Sequence, residues 1–203
     1  MTPKVSQKHL EQRRANILKA AKNVFIEHGY EKTTMRHVMG EAGVSRGGLY
    51  QYFSNKEDLF EAILAENLSS EVINLEELLH TEIESYWQLL LSYIIDESPA
   101  SENEIDPLAP SILEFFVTGR NDIRRREYAK KRYELALKLY EEIIKAGQKK
   151  GEFNQNFNSK TIAQSIITFT DGLALDYAIL PPKDVNLKEQ ATLFVEYLKI
   201  LLK

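Results

Sequence analysis

Residues Thr33 to Leu59 read TTMRHVMGEAGVSRGGLYQYFSNKEDL, and this stretch decides how the chain is read. Thr33 or Thr34 is placed to cap a short helix of about Met35 to Ala42, and Gly43 supplies the tight turn that follows. Ser45 is a good N-cap for a second short helix, about Ser45 to Phe53. Upstream, Leu10 to His28 sets Ile17, Ala20, Ala21, Val24 and Phe25 on one face, and Gly29 is placed to end that helix. Helix, glycine turn and short helix make the geometry in which a recognition helix puts its N-terminal side chains into the major groove of DNA. Val44, Leu49 and Phe53 read as the core of this unit.

The charge distribution agrees. The net charge of −4 over 203 residues looks unsuited to a polyanion until it is divided along the chain. Residues 1–60 hold ten Lys/Arg against six Asp/Glu, and the remainder holds sixteen against twenty-four. One end is attracted to phosphate while the rest stays acidic. Cysteine is absent, which excludes disulfides, Cys-ligated zinc, iron-sulfur clusters and thiol nucleophiles. The histidines, at 9, 28, 37 and 80, lack metal-ligand spacing, and no G-x-S-x-G, H-E-x-x-H, P-loop or G-x-G-x-x-G occurs. The expectation is therefore no enzyme, no metal and no cofactor, with His28 and His37 at helix ends or on the surface. The start carries no apolar leader, and the longest nearly apolar stretch, Tyr86 to Ile95, is well short of the ~20 residues that span a bilayer. A cytoplasmic protein without membrane association is expected.

Apolar residues recur at three- and four-residue intervals along almost the whole chain, so the fold class is all-α. Ser54 and Glu57 suggest a capping box that starts a fourth helix near Lys56, running toward Leu79. Thr81 and Glu84 repeat the pattern, and a fifth helix is expected from about Glu82. The acidic, proline-bearing stretch Asp96 to Pro110 reads as a loop, followed by a short helix around Ser111 to Thr118. A long helix, about Asp122 to Lys149, ends near Gly147 or Gly151. The next, about Ser159 to Leu180, carries two apolar stripes, one through Ile162, Ile166 and Phe169 and one through Ala163, Ile167, Ala174 and Ala178. Pro181 and Pro182 stop it, and Asn186 with Glu189 is placed to cap a last helix bearing Phe194, Leu198 and Leu201.

The block Thr33 to Leu59, with LYQYF followed by NKEDL, resembles the DNA-binding region of the TetR family of bacterial regulators. The resemblance is strongest over residues 10–65; beyond that it extends to length, helical content and helix order. It implies a helix-turn-helix domain over residues 1–55 and a helical effector-binding and dimerisation domain over 56–203. It also implies a double-stranded operator as partner, a small-molecule effector, a homodimer, and repression released by that effector. Ser45 either caps its helix or also meets phosphate, and Arg46 suits guanine O6 and N7. Gly47 and Gly48 weaken a helix, so they mark either close backbone approach to DNA, the sharper reading, or simple tolerance in a short element. Tyr50 and Tyr52 cannot share a helix face, so at least one hydroxyl is expected in solvent. By resemblance, Tyr50 and Tyr52 take phosphate contacts and Gln51 a base contact, while Thr34 and Arg36 touch the duplex. Lys56 opens the fourth helix, where a phosphate would resolve the conflict of a cation with the helix dipole. Lys4, Lys8, Arg13 and Arg14 form either a basic arm or a solvated charge run. Two positions depart from the family pattern: Met39 stands where Ala is common, and Gly48 where Thr, Ser or Ala is common.

Fifteen of the twenty aromatic residues fall in residues 60–203, and the resemblance implies an effector pocket there. The candidates are Tyr86, Trp87, Tyr93, Phe115, Phe116, Tyr133, Tyr140 and Phe169, with Asp176 at the edge of the same stripe as Phe169; about half are expected to be filled core. The basic run Arg120 to Arg132 reads as a solvated helix face, with the receipt of an anionic ligand as the alternative. For the dimer, the second stripe and the last helix nominate Ile167, Gly172, Ala174, Ala178, Phe194 and Leu198. The rival readings are a DNA-bound structural or cell-cycle protein with no effector, and a small helical enzyme.

Overall fold

The computed structural model describes residues 7–66, 82–94 and 106–203. The regular elements among them are all α-helices: α1 (Gln7–Lys32), α2 (Met35–Ala42), α3 (Arg46–Tyr50), α4 (helical over 56–66), α5 (Tyr86–Ile94), α6 (Ala109–Thr118), α7 (Ile123–Lys150), α8 (Ser159–Ile179), α9 (Pro182–Val185) and α10 (Leu187–Leu202). The expected course of the fourth helix to Leu79, the Thr81 cap, the loop over 96–105 and Lys4 of the basic arm lie outside the described residues.

Local chemistry sets most helix ends. Thr34, in extended backbone, accepts the His37 N–H, and Ser45 accepts the Gly48 N–H. Gly43 turns the chain between them in the left-handed region, at φ 61°. Gly29 breaks α1 with φ 76° and ψ 170°, so residues 30–32 run on at a kink. Only glycine suits that point, because a Cβ there would also stand 2.8 Å from Glu114 Oε2, which accepts the Tyr30 N–H.

Three expected caps are displaced. The start of α4 is capped by Asn55, whose Oδ1 accepts the Asp58 N–H at 2.7 Å, and not by Ser54. N-x-x-D and S-x-x-E are offset by one residue here, and the shift frees Glu57 for other partners. Helix α5 begins at Tyr86, not Glu82, because Ser85 accepts the Gln88 N–H. Asn186 makes no side-chain cap for α10; it lies in the left-handed region, whereas a side-chain N-cap needs extended backbone. The long helix ends at Gly151 in left-handed backbone, and Gly147 lies inside it, its bare backbone packed on the Phe153 ring.

Two cores result. The first joins Ile17, Leu18, Ala21, Val24, Phe25, Val38, Leu49 and Phe53 of the helix-turn-helix to Leu59, Phe60 and Leu64 of α4, and to Leu108 and Phe115. Its centre is aromatic: Phe25, Tyr30, Phe60 and Phe115 are fully buried, with Phe25 and Phe60 centroids 4.6 Å apart and Tyr30 and Phe115 4.9 Å apart. Met39 packs on this core half-buried, as does Val44. The second core unites Tyr86, Trp87 and Leu90 of α5 with Leu139, Ile143 and Ile144 of α7, Ile162, Ala163 and Ile166 of α8, and Phe194, Leu198 and Leu202 of α10.

Candidate nucleic-acid interface

The candidate reading surface is built on the side-chain caps of α2 and α3. With Ser45 holding the first turn of α3, Arg46 and Gly47 face solvent, and a Cβ on Gly47 would meet nothing within 4 Å. Tyr50 is 42% exposed and the Arg46 guanidinium lies 5.5 Å from its ring centroid, so the two side chains form one cationic, aromatic tip. Gln51 follows, exposed, at the C-terminal end of α3. Thr34 and Arg36 are exposed at the start of α2. The structure thus brings Thr34, Arg36, Ser45, Arg46, Gly47, Tyr50 and Gln51 to the outer surface of two adjoining short helices.

Three expected contacts are placed otherwise. The Tyr52 hydroxyl is buried without a hydrogen-bond partner and its ring packs on the first core, so it offers no phosphate contact in this conformation. Helix α3 ends at Tyr50, and the tighter turn from Leu49 to Tyr52 rolls Tyr52 inward. Lys56 donates to the carbonyls of Tyr30 and Glu31, at 2.8 and 3.1 Å, and stands 4.3 Å from the Tyr30 ring centroid. The end of α1 therefore resolves the clash of this cation with the α4 dipole, and two of its three N–H groups are taken. Gly48 is not open to a DNA backbone either: a Cβ there would lie 2.9 Å from a guanidinium nitrogen of Arg13. Arg14, beside it, pairs with Glu66 at 2.6 Å and stacks on Phe53.

A polar joint ties this head to the rest of the chain. Arg125 donates to Glu57 at 2.8 Å and to the Tyr30 hydroxyl at 3.0 Å, and its guanidinium lies 4.9 Å from the ring centroids of both Tyr30 and Phe115. Burial alone would raise the Glu57 carboxyl. Hydrogen bonds from its own backbone, Arg125 and Tyr30 outweigh that and hold it below the usual carboxylate range. Burial, then the Glu57 charge, pushes the Tyr30 phenol well above its ordinary value. Arg124 bridges Asp58 and Glu61 at 2.5 and 2.8 Å, and its hydrogen bond draws the Asp58 carboxyl down. Two members of the basic run expected in solvent are therefore structural. The complementary acids sit more than sixty residues away, which hides the match from any local reading.

In the body, Phe115 is fully buried in the first core and has no surface left for an effector. Its neighbour Phe116 is half-buried, stacked near Tyr128 and under Arg132. Tyr86 and Trp87 lie inside the second core. Tyr93 and Tyr140 are half-buried, the Tyr140 hydroxyl donating to the Tyr93 carbonyl at 3.1 Å. Phe169 stacks on Phe194 with centroids 3.9 Å apart, Tyr133 is exposed beside Gln164, and Asp176 is half-buried.

The expected dimer residues divide in the same way. Ile167, Phe194 and Leu198 are buried within the chain, and Ala174 and Ala178 are half-buried. On α8 and α10 the exposed apolar surface is a third face of α8, with Leu175 and the open Gly172 beside Ile179 (66% exposed), and a second face of α10, with Leu193 (73%), Tyr197 and Ile200 (79%). The spacing 193, 197, 200 was present in the sequence, but the competing stripe through Phe194, Leu198 and Leu201 is equally periodic. His28 and His37 are both exposed, with rings 4.9 Å apart. No helix among the described residues is long and apolar enough to cross a membrane, and none of their His, Asp or Glu form a group of three placed to hold a metal.

Comparison with known proteins agrees with this architecture. The family of bacterial regulatory proteins, tetR family, matches residues 17–63, and the tetracyclin repressor-like C-terminal domain matches 89–188. An uncharacterized HTH-type transcriptional regulator, YfiR, of Bacillus subtilis (strain 168) is 34% identical over 203 residues, covering 100% of this chain and 98% of that protein. Among solved structures, a TetR transcription regulator from Haloarcula marismortui superposes with a TM-score of 0.77 at 22% identity, over 95% of this chain and 100% of that one. The regulator FadR from Bacillus subtilis, solved in complex with stearoyl-CoA, gives 0.70 at 21% identity, over 91% and 96%. The chain belongs to the TetR family of helix-turn-helix transcriptional regulators.

Proposed function

We propose that this regulator is a cytoplasmic homodimeric repressor that sits on a palindromic operator and is released when a small molecule binds its helical body. The observation that carries the reading is the tip of α3, where Arg46, Gly47, Tyr50 and Gln51 stand exposed together. Arg46 has the reach and planar donors to pair with guanine, and Tyr50, Thr34 and Arg36 suit the flanking phosphates. The exposed apolar face of α8 and α10 supports pairing of two copies. A two-fold dimer sets its reading helices about 34–36 Å apart, one turn of B-DNA. FadR, a protein of the same fold, was solved with stearoyl-CoA, and this supports a small-molecule effector held in the body without naming its class.

Control then works as a shift between two populations, one with heads at groove spacing and one without. The joint of Arg125, Glu57 and Tyr30 makes α4 and the end of α1 follow α6 and α7, so an effector that displaces the latter moves the head. A coupling of about 1–3 kcal/mol is enough for a useful switch. Arg46→Ala is expected to weaken specific binding by about 1–3 kcal/mol and to relax base preference, read by selection from random duplexes. Unchanged preference overturns the base contact. Ile200→Glu is expected to give monomers in sedimentation; a persistent dimer overturns the α8 and α10 interface.

A further inference from the structure

We propose that Arg13, on α1, is a DNA-phosphate contact delivered through the gap left by Gly48 on the recognition helix. The inference rests on the DNA-reading function above and adds a residue from a helix outside the two-helix motif. A Cβ built on Gly48 would lie 2.9 Å from Arg13 Nη2 and 3.3 Å from Ser45 Oγ, so the guanidinium occupies the space that a side chain at position 48 would fill. Arg13 is nevertheless exposed, so its head lies along the solvent-facing seam of α1 and α3.

The two neighbouring arginines are used differently. Arg14 is tied to Glu66 and to the Phe53 ring, while no carboxylate among the described residues pairs with Arg13. A guanidinium brought against α3, a helix that carries no acidic residue, has nothing described to neutralise it. An anion fits there. When α3 lies in the major groove, the phosphates bounding the groove are the anions nearest to that seam, and the planar guanidinium can hold one with two parallel hydrogen bonds. The side chain missing from the recognition helix is thus replaced from α1, and the glycine is required because any side chain there would displace the arginine.

The full-length protein is tested on duplexes that the wild type itself enriches from a random pool, with affinity followed against salt. Arg13→Met is expected to weaken binding about ten-fold near physiological salt and to lower the salt slope by about one unit. Arg13→Lys is expected to recover most of the slope. Gly48→Ala is expected to raise the melting temperature, since alanine favours helix, yet to weaken DNA binding by pushing the guanidinium aside. In the Arg13→Met background, Gly48→Ala is expected to cost no further affinity. Wild-type affinity and slope in Arg13→Met overturn the proposal, as do additive losses in the double variant, or a changed base preference with an unaltered slope. A wild type that enriches no sequence and holds no duplex refutes the DNA-reading function instead, whatever Arg13 does.

Discussion

The core centred on the packed rings of Phe25, Tyr30, Phe60 and Phe115 and the core around Leu90, Ile143, Ile166 and Leu198 are closed in different ways. The first is roofed by charge: Arg125, Glu57, Lys56 and Glu114 all converge on Tyr30, whose ring they cover and whose backbone and hydroxyl they bind. The second has a polar clamp at the start of α5. Glu152, just past α7, accepts the backbone N–H groups of Tyr86 and Trp87 and the Ser85 hydroxyl, so the carboxylate caps α5 from a distant part of the chain. Aliphatic side chains, with Tyr86, Trp87, Phe153 and Phe194 among them, fill the second core. Tyr30 brings a polar end into the first, which must be satisfied, and the groups that satisfy it come from both the reading head and the body. The core beneath the helix-turn-helix is therefore shared with the body, as the proposed coupling requires.

The sharpest way to break this contrast is Phe115→Ala. Although the residue belongs to the body by sequence, the loss of about 3–5 kcal/mol is expected to fall on the head, with α1 and α4 amides losing protection in hydrogen exchange. Loss confined to α8 and α10 would show that the first core is not shared. Next in size, Glu152→Gln is expected to cost about 1–2 kcal/mol by chemical denaturation while leaving DNA affinity at low temperature unchanged, since its partners lie wholly in the second core. Thr34→Ala is expected to cost about 1 kcal/mol, the ordinary worth of an N-cap, read as local fraying of α2.

The smallest effect is on acid response. Glu57, Asp58 and Glu152 all titrate below their ordinary values in the folded chain, so the unfolded chain binds more protons as the pH falls through the usual carboxylate range. Stability is full above that range and declines on acidification through the folded values. Acid titrations of Glu57→Gln and Glu152→Gln are each expected to lose part of this decline, the first in head signals and the second in body signals. An unchanged slope in both would remove the carboxylates from the account.

The helix-turn-helix was legible because its determinants are local. Thr34 to His37, Ser45 to Gly48 and the left-handed Gly43 act within a few residues, so spacing alone places them. The displaced caps show the limit of that logic: Ser54 and Asn55 both offer an oxygen, and only the path of the chain into α4 chooses Asn55. Likewise α10 carries two apolar stripes of equal periodicity, and packing alone shows that Leu198 goes inside while Ile200 stays out.

The amino-acid sequence by itself determined an all-α chain, a groove-reading head with a basic end, and which short helix presents Arg46. Tertiary structure decided what that head is attached to. It alone set Arg125 against Glu57 across 68 positions, Glu152 against the start of α5 across 65 to 67, and Arg13 into the vacancy at Gly48. The division has a physical cause. Helix caps and turns are short-range hydrogen bonds whose partners are a few residues apart, whereas ion pairs between helices depend on crossings that exist only once the cores have closed.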